Sequence, residues 1–560
     1  MIRTNLDDGP SRQGSPPRSR IAGVVAILAA VALLGHDLLL ILGPERRLME
    51  WLYDDCFYYI ITAWHFSLQG ISSFDGVTRT SGYHPLWMWV CAGLVRLHPT
   101  LDLGLLRLCV AFSALLSGSL LVATLLWALR GRRSGWLWAL ALAASSYSAW
   151  NNSIAVMEWP LVLISWTFLH LLLLNSLRKK SVSFALLLGA FVAGVLLTLS
   201  RTDSGLIPLC YTLSAYLQFR RTRISSTLFA AVAALAGSVA GLAATLLYNH
   251  AFTGAWLQQS ARIKELFASV TTPFNPIPAI WQFLRILLFL PRLELTGNTR
   301  LFAAKVGAIP ASLILIGCLI WIATRLPRIR RFWASREAAE QLTLTAAVLG
   351  IVFYVGLYSL NSMAMYGWYT APVTGFVLCI AASCFARLRA SAAASIVLPL
   401  LLLNFAGYVY GGGNAAGQYQ EVLVGKYLRD HIPMAVLAGG DVGKPAFYNR
   451  GAMFNTDGLM NNEIVPYLES GRYHCYLLKR GIEYTTGAGS ITSQVVDKVR
   501  ERHGQPPLPW PLYVTLLHGT YDGMTVDYYK VNPQAIRDSG ECPEEAAGSA
   551  SGSSSVLDRK

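Results

Sequence analysis

Charge is scarce in this chain. Only 14% of its 560 residues are Asp, Glu, Lys or Arg, where a soluble domain carries about 25%. That deficit excludes an ordinary soluble enzyme and a disordered chain. No C-x-x-C pair occurs among the nine cysteines. Most of them sit inside apolar runs, where a thiol behaves as a small hydrophobe, so a disulfide-rich secreted scaffold is also excluded. No internal repeat is visible. What the chain has is apolar surface: 54% of residues are hydrophobic and the mean hydropathy is +0.43. This is the composition of a polytopic membrane protein. The net charge of +15, taken alone, suits a nucleic-acid partner as well. The placement of the basic residues decides between the two.

A bilayer core needs about 20 apolar residues per crossing helix. The first such run is Ile21 to Gly43, after a polar tail over 1–20 that holds Arg3, Arg12, Arg18 and Arg20. The run is too long for a signal peptide and lacks a small-x-small cleavage site, so it reads as a signal anchor with a disordered cytoplasmic tail. Ten further spans follow at 104–129, 134–152, 155–175, 182–200, 204–219, 225–248, 301–324, 341–361, 366–386 and 391–410. Two shorter apolar segments, Tyr83–Leu97 and Pro278–Leu290, suit surface or re-entrant helices.

Basic clusters fall at Arg130/Arg132/Arg133, Arg178/Lys179/Lys180, Arg220/Arg221/Arg223, Arg325/Arg328/Arg330/Arg331/Arg336 and Arg387/Arg389. If the two short segments do not cross, every cluster lies on the side of the N-terminal tail, as the positive-inside rule requires. These segments and the tail hold 20 of the 46 Lys and Arg but only four acids, Asp7, Asp8, Glu337 and Glu340. The inside surface alone therefore accounts for the net charge, and no nucleic-acid partner is expected. The expected location is a bacterial inner membrane, multi-pass, with the N-terminus cytoplasmic.

The loops at 44–82 and 249–300 and everything after 410 then lie outside. Beyond Gly411 the apolar runs shorten and charge rises. Helix-like stretches (Gln418–Asp430, Glu463–Ser470) alternate with strand-like ones (Ala435–Ala438, Tyr513–Leu517), so 411–541 reads as an extracytoplasmic α/β domain after a transmembrane domain over 21–410. The Ser/Gly/Ala-rich end, 542–560, reads as a disordered tail. Only Cys475 and Cys542 belong to this outer part, and whether they pair stays open.

Polar residues gather at the outer face. Asp54 and Asp55 stand together in Trp51-Leu-Tyr-Asp-Asp-Cys-Phe-Tyr-Tyr-Ile60. Adjacent carboxylates among aromatics need solvent, a partner or a cation. One can serve as a general base, the pair can help hold a divalent metal, or Asp can simply cap the following helix. Tyr83 and His84 precede Pro85, a helix-start residue; His84 can bind a phosphate or sugar hydroxyl, or merely cap. Glu158 joins the third and fourth spans, and Arg201 with Asp203 joins the fifth and sixth. Ionisable groups at that depth are costly and often functional, though an ion pair among these three explains them equally well. Arg262 and Lys264 form a cationic patch near Tyr248-Asn-His-Ala-Phe-Thr-Gly254. Trp368 and Tyr369 add aromatics, either as an interfacial belt or as faces for a sugar.

These residues together are familiar. Asp54-Asp55 with its aromatic run, Phe74-Asp75-Gly76, Gly82-Tyr83-His84-Pro85-Leu86-Trp87, Met157-Glu158 and Arg201-Thr202-Asp203 resemble bacterial glycosyltransferases of the GT-C superfamily. Gly440-Asp-Val-Gly443 through Asn455-Thr-Asp-Gly-Leu459 is similar to the domain that follows the spans in such proteins. The resemblance implies a GT-C-like fold and inverting transfer of a monosaccharide, hexosyl or pentosyl, from a polyprenyl-phosphate donor. The acceptor would be an envelope glycan, lipid or protein. Asp55 or Asp54 would be the base; Arg201, Lys264 and Arg262 would hold the donor phosphate. His84, Tyr83, Glu158, Asp203, Trp368 and Tyr369 would position sugar or acceptor. This reading names no certain cofactor and leaves a requirement for a divalent cation open. Cys56 and Thr80-Ser81 depart from the family's usual residues. A flippase for a lipid-linked sugar, with His36 and Asp37 as its inner polar residues, and a non-catalytic envelope scaffold are the rival readings.

Overall fold

The computed structural model describes residues 17–271, 337–360, 369, 371–410, 415–486 and 491–543. The 301–324 span, the Pro278–Leu290 segment, the Arg325–Arg336 cluster, Trp368 and the tail beyond 543 lie outside the described residues. Elsewhere the apolar runs are helices: α1 (Pro17–Leu42), α5 (Leu103–Arg130), α6 (Ser134–Ser145), α8 (Trp159–Lys179), α9 (Phe184–Ser200), α10 (Leu206–Thr222) and α11 (Ser225–Thr253), then Ala338–Leu360, Ala371–Phe385 and Ala390–Tyr410. Between them lie the shorter α2 (Glu45–Trp51), α3 (Asp54–Gln69), α4 (Pro85–Leu97), α7 (Tyr147–Ile154) and α12 (Gln259–Thr271). Five helices among the described residues are long and apolar enough to cross a membrane.

One expected span is broken. The 134–152 run divides at Ser146, whose backbone is extended and whose hydroxyl accepts the amide N–H of Ala149 at 3.2 Å. A capping hydroxyl there starts a new helix. The short segment at 83–97 starts its helix at Pro85, where the missing N–H costs nothing.

Small residues let the helices approach. A Cβ on Gly194 of α9 would lie 1.9 Å from the Ala234 carbonyl oxygen of α11, and one on Gly237 would lie 2.0 Å from that of Phe191. Close backbone contact of this kind replaces hydrophobic drive between apolar helices. The charged loop ends also meet one another. Arg387 pairs with Glu340 at 2.6 Å, and Gln218 donates to the Ala338 carbonyl at 2.6 Å. Glu158, Arg201, Asp203 and Tyr358 meet in a second set of contacts.

The C-terminal region is α/β, as its composition shift suggests. Its five-stranded sheet has the order β2-β1-β3-β5-β4. β1 (Leu437–Gly439) lies parallel to β2 (Met453–Asn455) and β3 (Tyr484–Thr486). β5 (Met524–Val531) runs antiparallel to β3 and to β4 (Val514–Tyr521). The β4–β5 turn is Asp522-Gly523, both at positive φ, the geometry that matches strand twist. Cys475 and Cys542 form a disulfide, which ties the chain end to the helix Tyr473–Lys479. Core packing runs without a break from this region into the helices: Phe57, Tyr58 and Met88 share one apolar cluster with Val422, Phe447 and Met460.

Candidate active site

Asp54 and Asp55 open α3, and helical rotation separates the two acids. Successive residues point about 100° apart. Asp54 turns toward the C-terminal region, where its carboxylate accepts the backbone N–H of Gly443 and of Lys444, each at 2.7 Å. Phe57, one turn on, meets Phe447 at 5.3 Å between ring centroids. Asp55 points the other way, with Tyr58 and Tyr59 on its face at the i+3 and i+4 positions. Those three line one cavity together with Tyr83, His84, Glu158, Lys264 and Tyr369. Gly82, Met157, Gln258, Ser260, Leu459 and Met460 complete its wall.

Gly443 is required by the Asp54 contact. A Cβ there would lie 2.3 Å from the Asp54 carbonyl oxygen and 2.9 Å from its carboxylate. Gly443→Ala is expected to force this seam apart at a cost of about 1–3 kcal/mol. The readout is a lower unfolding midpoint in detergent, with faster proteolysis between the spans and the outer region.

Electrostatics divide the cavity. Burial pushes the Asp55 carboxyl up to about 7, and Lys264 pulls against that shift while Asp54 adds to it. Burial, reinforced by the Arg201 charge, takes the His84 imidazole down to about 3. His84 is therefore neutral. Its Nδ1 is buried with no hydrogen-bond partner, and its Nε2 lies 3.8 Å from Glu158. Tyr59 donates to Glu158 at 3.0 Å and accepts the His84 amide at 3.3 Å.

Arg201 is only 4% exposed. It donates to Glu158 at 2.6 Å and to both oxygens of Asp203 at 2.8 and 3.1 Å, and also to Tyr358 at 3.1 Å. Burial opposes its charge, but Asp203, Tyr358 and Glu158 outweigh burial and keep it protonated. Its guanidinium sits 4.4 Å from the centre of the Tyr369 ring. With Glu158 and Asp203 both bonded to one guanidinium, this cluster offers no spare cation. Lys264 supplies one: its ammonium donates to the Tyr369 hydroxyl and lies 4.8 Å from that ring's centre.

The structure thus brings together Asp55, Tyr83, His84, Glu158, Lys264 and Tyr369 around one cavity. Asp203 stands behind Glu158 through Arg201. Arg262 is placed elsewhere: it forms a bidentate pair with Glu469 at 2.9 and 2.7 Å. The physical reason is its spacing from Lys264, since residues two apart on a helix do not share a face. Both oxygens of Asp54 face backbone N–H groups, whereas Asp55 lines the cavity. Among the described residues the only compact group of potential metal ligands is His474, Cys475 and Cys542, and its two sulfurs are bonded to each other. His36 and Asp37 lie apart from the cavity; Asp37 accepts from Ser153 at 2.9 Å, and the His36 ring centre lies 4.7 Å from those of Trp51, edge-on, and Trp150, tilted.

Tyr58, Tyr59, Gln258, Ser260, Leu459 and Met460 were not singled out by sequence. For Tyr58 and Tyr59 the helical spacing from Asp55 is a usable signal. Leu459 ends a stretch quoted for the resemblance, but nothing local joins it or Met460 to Asp55, some 400 residues away along the chain.

No protein-family model matches this chain. No curated protein matches it. Among solved structures it is similar to the crystal structure of ArnT from Cupriavidus metallidurans bound to undecaprenyl phosphate, with 14% identity and a TM-score of 0.48 over 91% of this chain and 98% of that one. A likeness at that level carries nothing about chemistry.

Proposed function

We propose that this protein is a GT-C-type glycosyltransferase that takes a monosaccharide from a polyprenyl-phosphate donor and passes it to an envelope glycan, lipid or protein acceptor. The observation that carries this reading is the pairing of Asp55 and Lys264 on one cavity. A carboxyl pushed to about 7 is matched to removing a proton from a hydroxyl at neutral pH. A lysine on the same cavity is matched to charge developing on a departing phosphate.

In this mechanism Asp55 takes the acceptor hydroxyl proton as the oxygen attacks the anomeric carbon. The sugar–phosphate bond breaks with inversion, and the electron pair leaves on the phosphate oxygen beside Lys264. Glu158 and His84 orient sugar hydroxyls, with Glu158 held by Arg201 and Tyr59. Tyr83 and Tyr369 wall the sugar. Asp54 docks the C-terminal region and takes no proton. Arg201 acts through Glu158 and Asp203, and Arg262 has no part in donor binding.

The domain division is 1–20 tail, 21–410 transmembrane part with its catalytic loop at 44–82, 411–541 outer domain and 542–560 tail, whose first residue, Cys542, is bonded to Cys475 of the outer domain. The outer domain faces the extracytoplasmic side of a bacterial inner membrane. The Cys475–Cys542 disulfide supports that orientation, since such bonds persist in oxidising compartments. It also agrees with the inside placement of the basic clusters.

The test is sugar transfer from a polyprenyl-phosphate donor in detergent. Lys264→Met is expected to lower kcat/KM for that donor about 10²–10³-fold, the loss typical of removing one charge-stabilising donor. Unchanged donor kinetics would remove Lys264 from this role. Translocation of a lipid-linked sugar in proteoliposomes, without transfer, would instead favour a flippase.

A further inference from the structure

The loop over 455–461, Asn-Thr-Asp-Gly-Leu-Met-Asn, lies between the two helices that carry the proposed base and cation. It buries its polar side chains: Asn455 and Asn461 are 0% exposed, Thr456 1% and Asp457 5%. Polar loops ordinarily stay at the surface, so each of these groups must find partners inside. They do. Asn455 accepts the Met460 N–H at 3.1 Å and donates to the Gly440 carbonyl at 3.1 Å. Asn461 donates to the Asn455 carbonyl at 2.9 Å and to the Tyr476 hydroxyl at 2.7 Å. Asp457 accepts the Leu459 N–H at 2.7 Å, and Thr456 accepts from Tyr473 at 3.0 Å.

Each end of this loop grips one catalytic helix. On the base side, the Tyr58 hydroxyl of α3 donates to Asp457 at 3.4 Å, and Asn455 donates to the same hydroxyl at 3.4 Å. On the cation side, Gln259 at the start of α12 is 2% exposed and donates to the Gly458 carbonyl at 2.9 Å and the Asn461 carbonyl at 3.3 Å. Ile263, next to Lys264, is buried in the core of the C-terminal region with Leu468. Leu459 and Met460, between the two grips, line the cavity itself.

We propose that the 455–461 loop is a splint that fixes the spacing between the Asp55 helix and the Lys264 helix, with Gln259 and Tyr58 as its positioning residues. The physical warrant is that a fully partnered buried polar network is rigid and specific. Transfer needs proton removal and phosphate departure in one geometry, and small misplacements of the reacting groups are costly. The catalytic part of this inference rests on the glycosyltransferase reading; the mechanical part does not.

The test uses the full-length protein in detergent with spin labels at Leu68→Cys on α3 and Glu265→Cys on α12, both exposed, on a background carrying Cys318→Ser and Cys384→Ser. Gln259→Met removes one grip at nearly constant volume, and Tyr58→Phe removes only the hydroxyl of the other. Pulsed dipolar spectroscopy is expected to show one narrow distance distribution for the unaltered splint and a broadened or shifted one for each variant. In the unlabelled proteins, kcat per folded molecule should fall about 10–100-fold, with donor KM changed less than about threefold. A merely structural role would lower the folded fraction and leave kcat per folded molecule unchanged. An unchanged distance distribution in both variants overturns the splint, as does a broadened one with unchanged kcat. Asp55→Asn is assayed alongside. Full activity in that variant sinks the base reading, and the label distances then decide the splint alone.

Discussion

Asp55→Asn is expected to lower sugar transfer about 10²–10⁴-fold, the range for removing a general base, and to raise the protein's unfolding midpoint above neutral pH. The two effects have one cause. Burial lifts this carboxyl from 3.8 to about 7, so the folded state binds the proton more tightly than the unfolded chain does. The contribution of protonated Asp55 to stability is fully present below about pH 4 and is lost as pH rises through about 7. Above that, the folded protein holds an ionised carboxylate in a site that resists it. A shift of about three units corresponds to at most about 4 kcal/mol. Asp55 keeps partial contact with solvent, which reduces this to about 1–3 kcal/mol. Asparagine carries no such cost, so the variant should be more stable than the parent at pH 8, with the difference shrinking toward pH 5. Transfer by the parent should rise with pH through about 7 as the base form fills. Thermal unfolding and initial rates measured across pH 5–9 check both. Asp54→Asn is the companion measurement: if it and Asp55→Asn both retain full activity, neither acid is the base. A stabilising, inactivating substitution is the expected signature of a group held in an unfavourable site for its chemistry.

Arg201→Ala is expected to be the most destabilising single change at the site, by about 3–5 kcal/mol. It leaves Glu158, 1% exposed, and Asp203 facing each other without the guanidinium that joins them. Two buried carboxylates then have to take up protons or separate. The readout is a large fall in unfolding midpoint, with the loss partly reversed when Glu158→Gln and Asp203→Asn are added. That reversal separates a structural cation from a phosphate ligand. If instead the protein stays stable and only donor KM rises, Arg201 binds the donor directly and the division of labour with Lys264 is wrong.

How much of this was legible in advance follows from the range of the forces. Apolar runs and the basic clusters at their ends could be read because burial and charge placement are sums over neighbouring residues. The strand-like run Tyr513–Leu517 was equally local and falls in β4, although β5 itself went unread. Trp368 and the 301–324 span lie outside the described residues. The gathering of acids, bases and aromatics was visible as composition near span ends. Their partners were not. Asp54 and Asp55 are chemically identical neighbours, and only the presence of Gly443, distant in sequence, gives them different environments. Arg262 and Lys264 are alike in charge, and rotation of α12 sends one to Glu469 and the other to Tyr369.

The scarcity of charge therefore determined by itself that this chain is a bundle of apolar helices with a more polar C-terminal region, because hydration of each segment is a property of that segment. Tertiary structure alone decided which acid faces the cavity, which cation lines it, and that Cys475 meets Cys542. Those outcomes depend on helix rotation and on contacts between segments hundreds of residues apart, which no local sum contains.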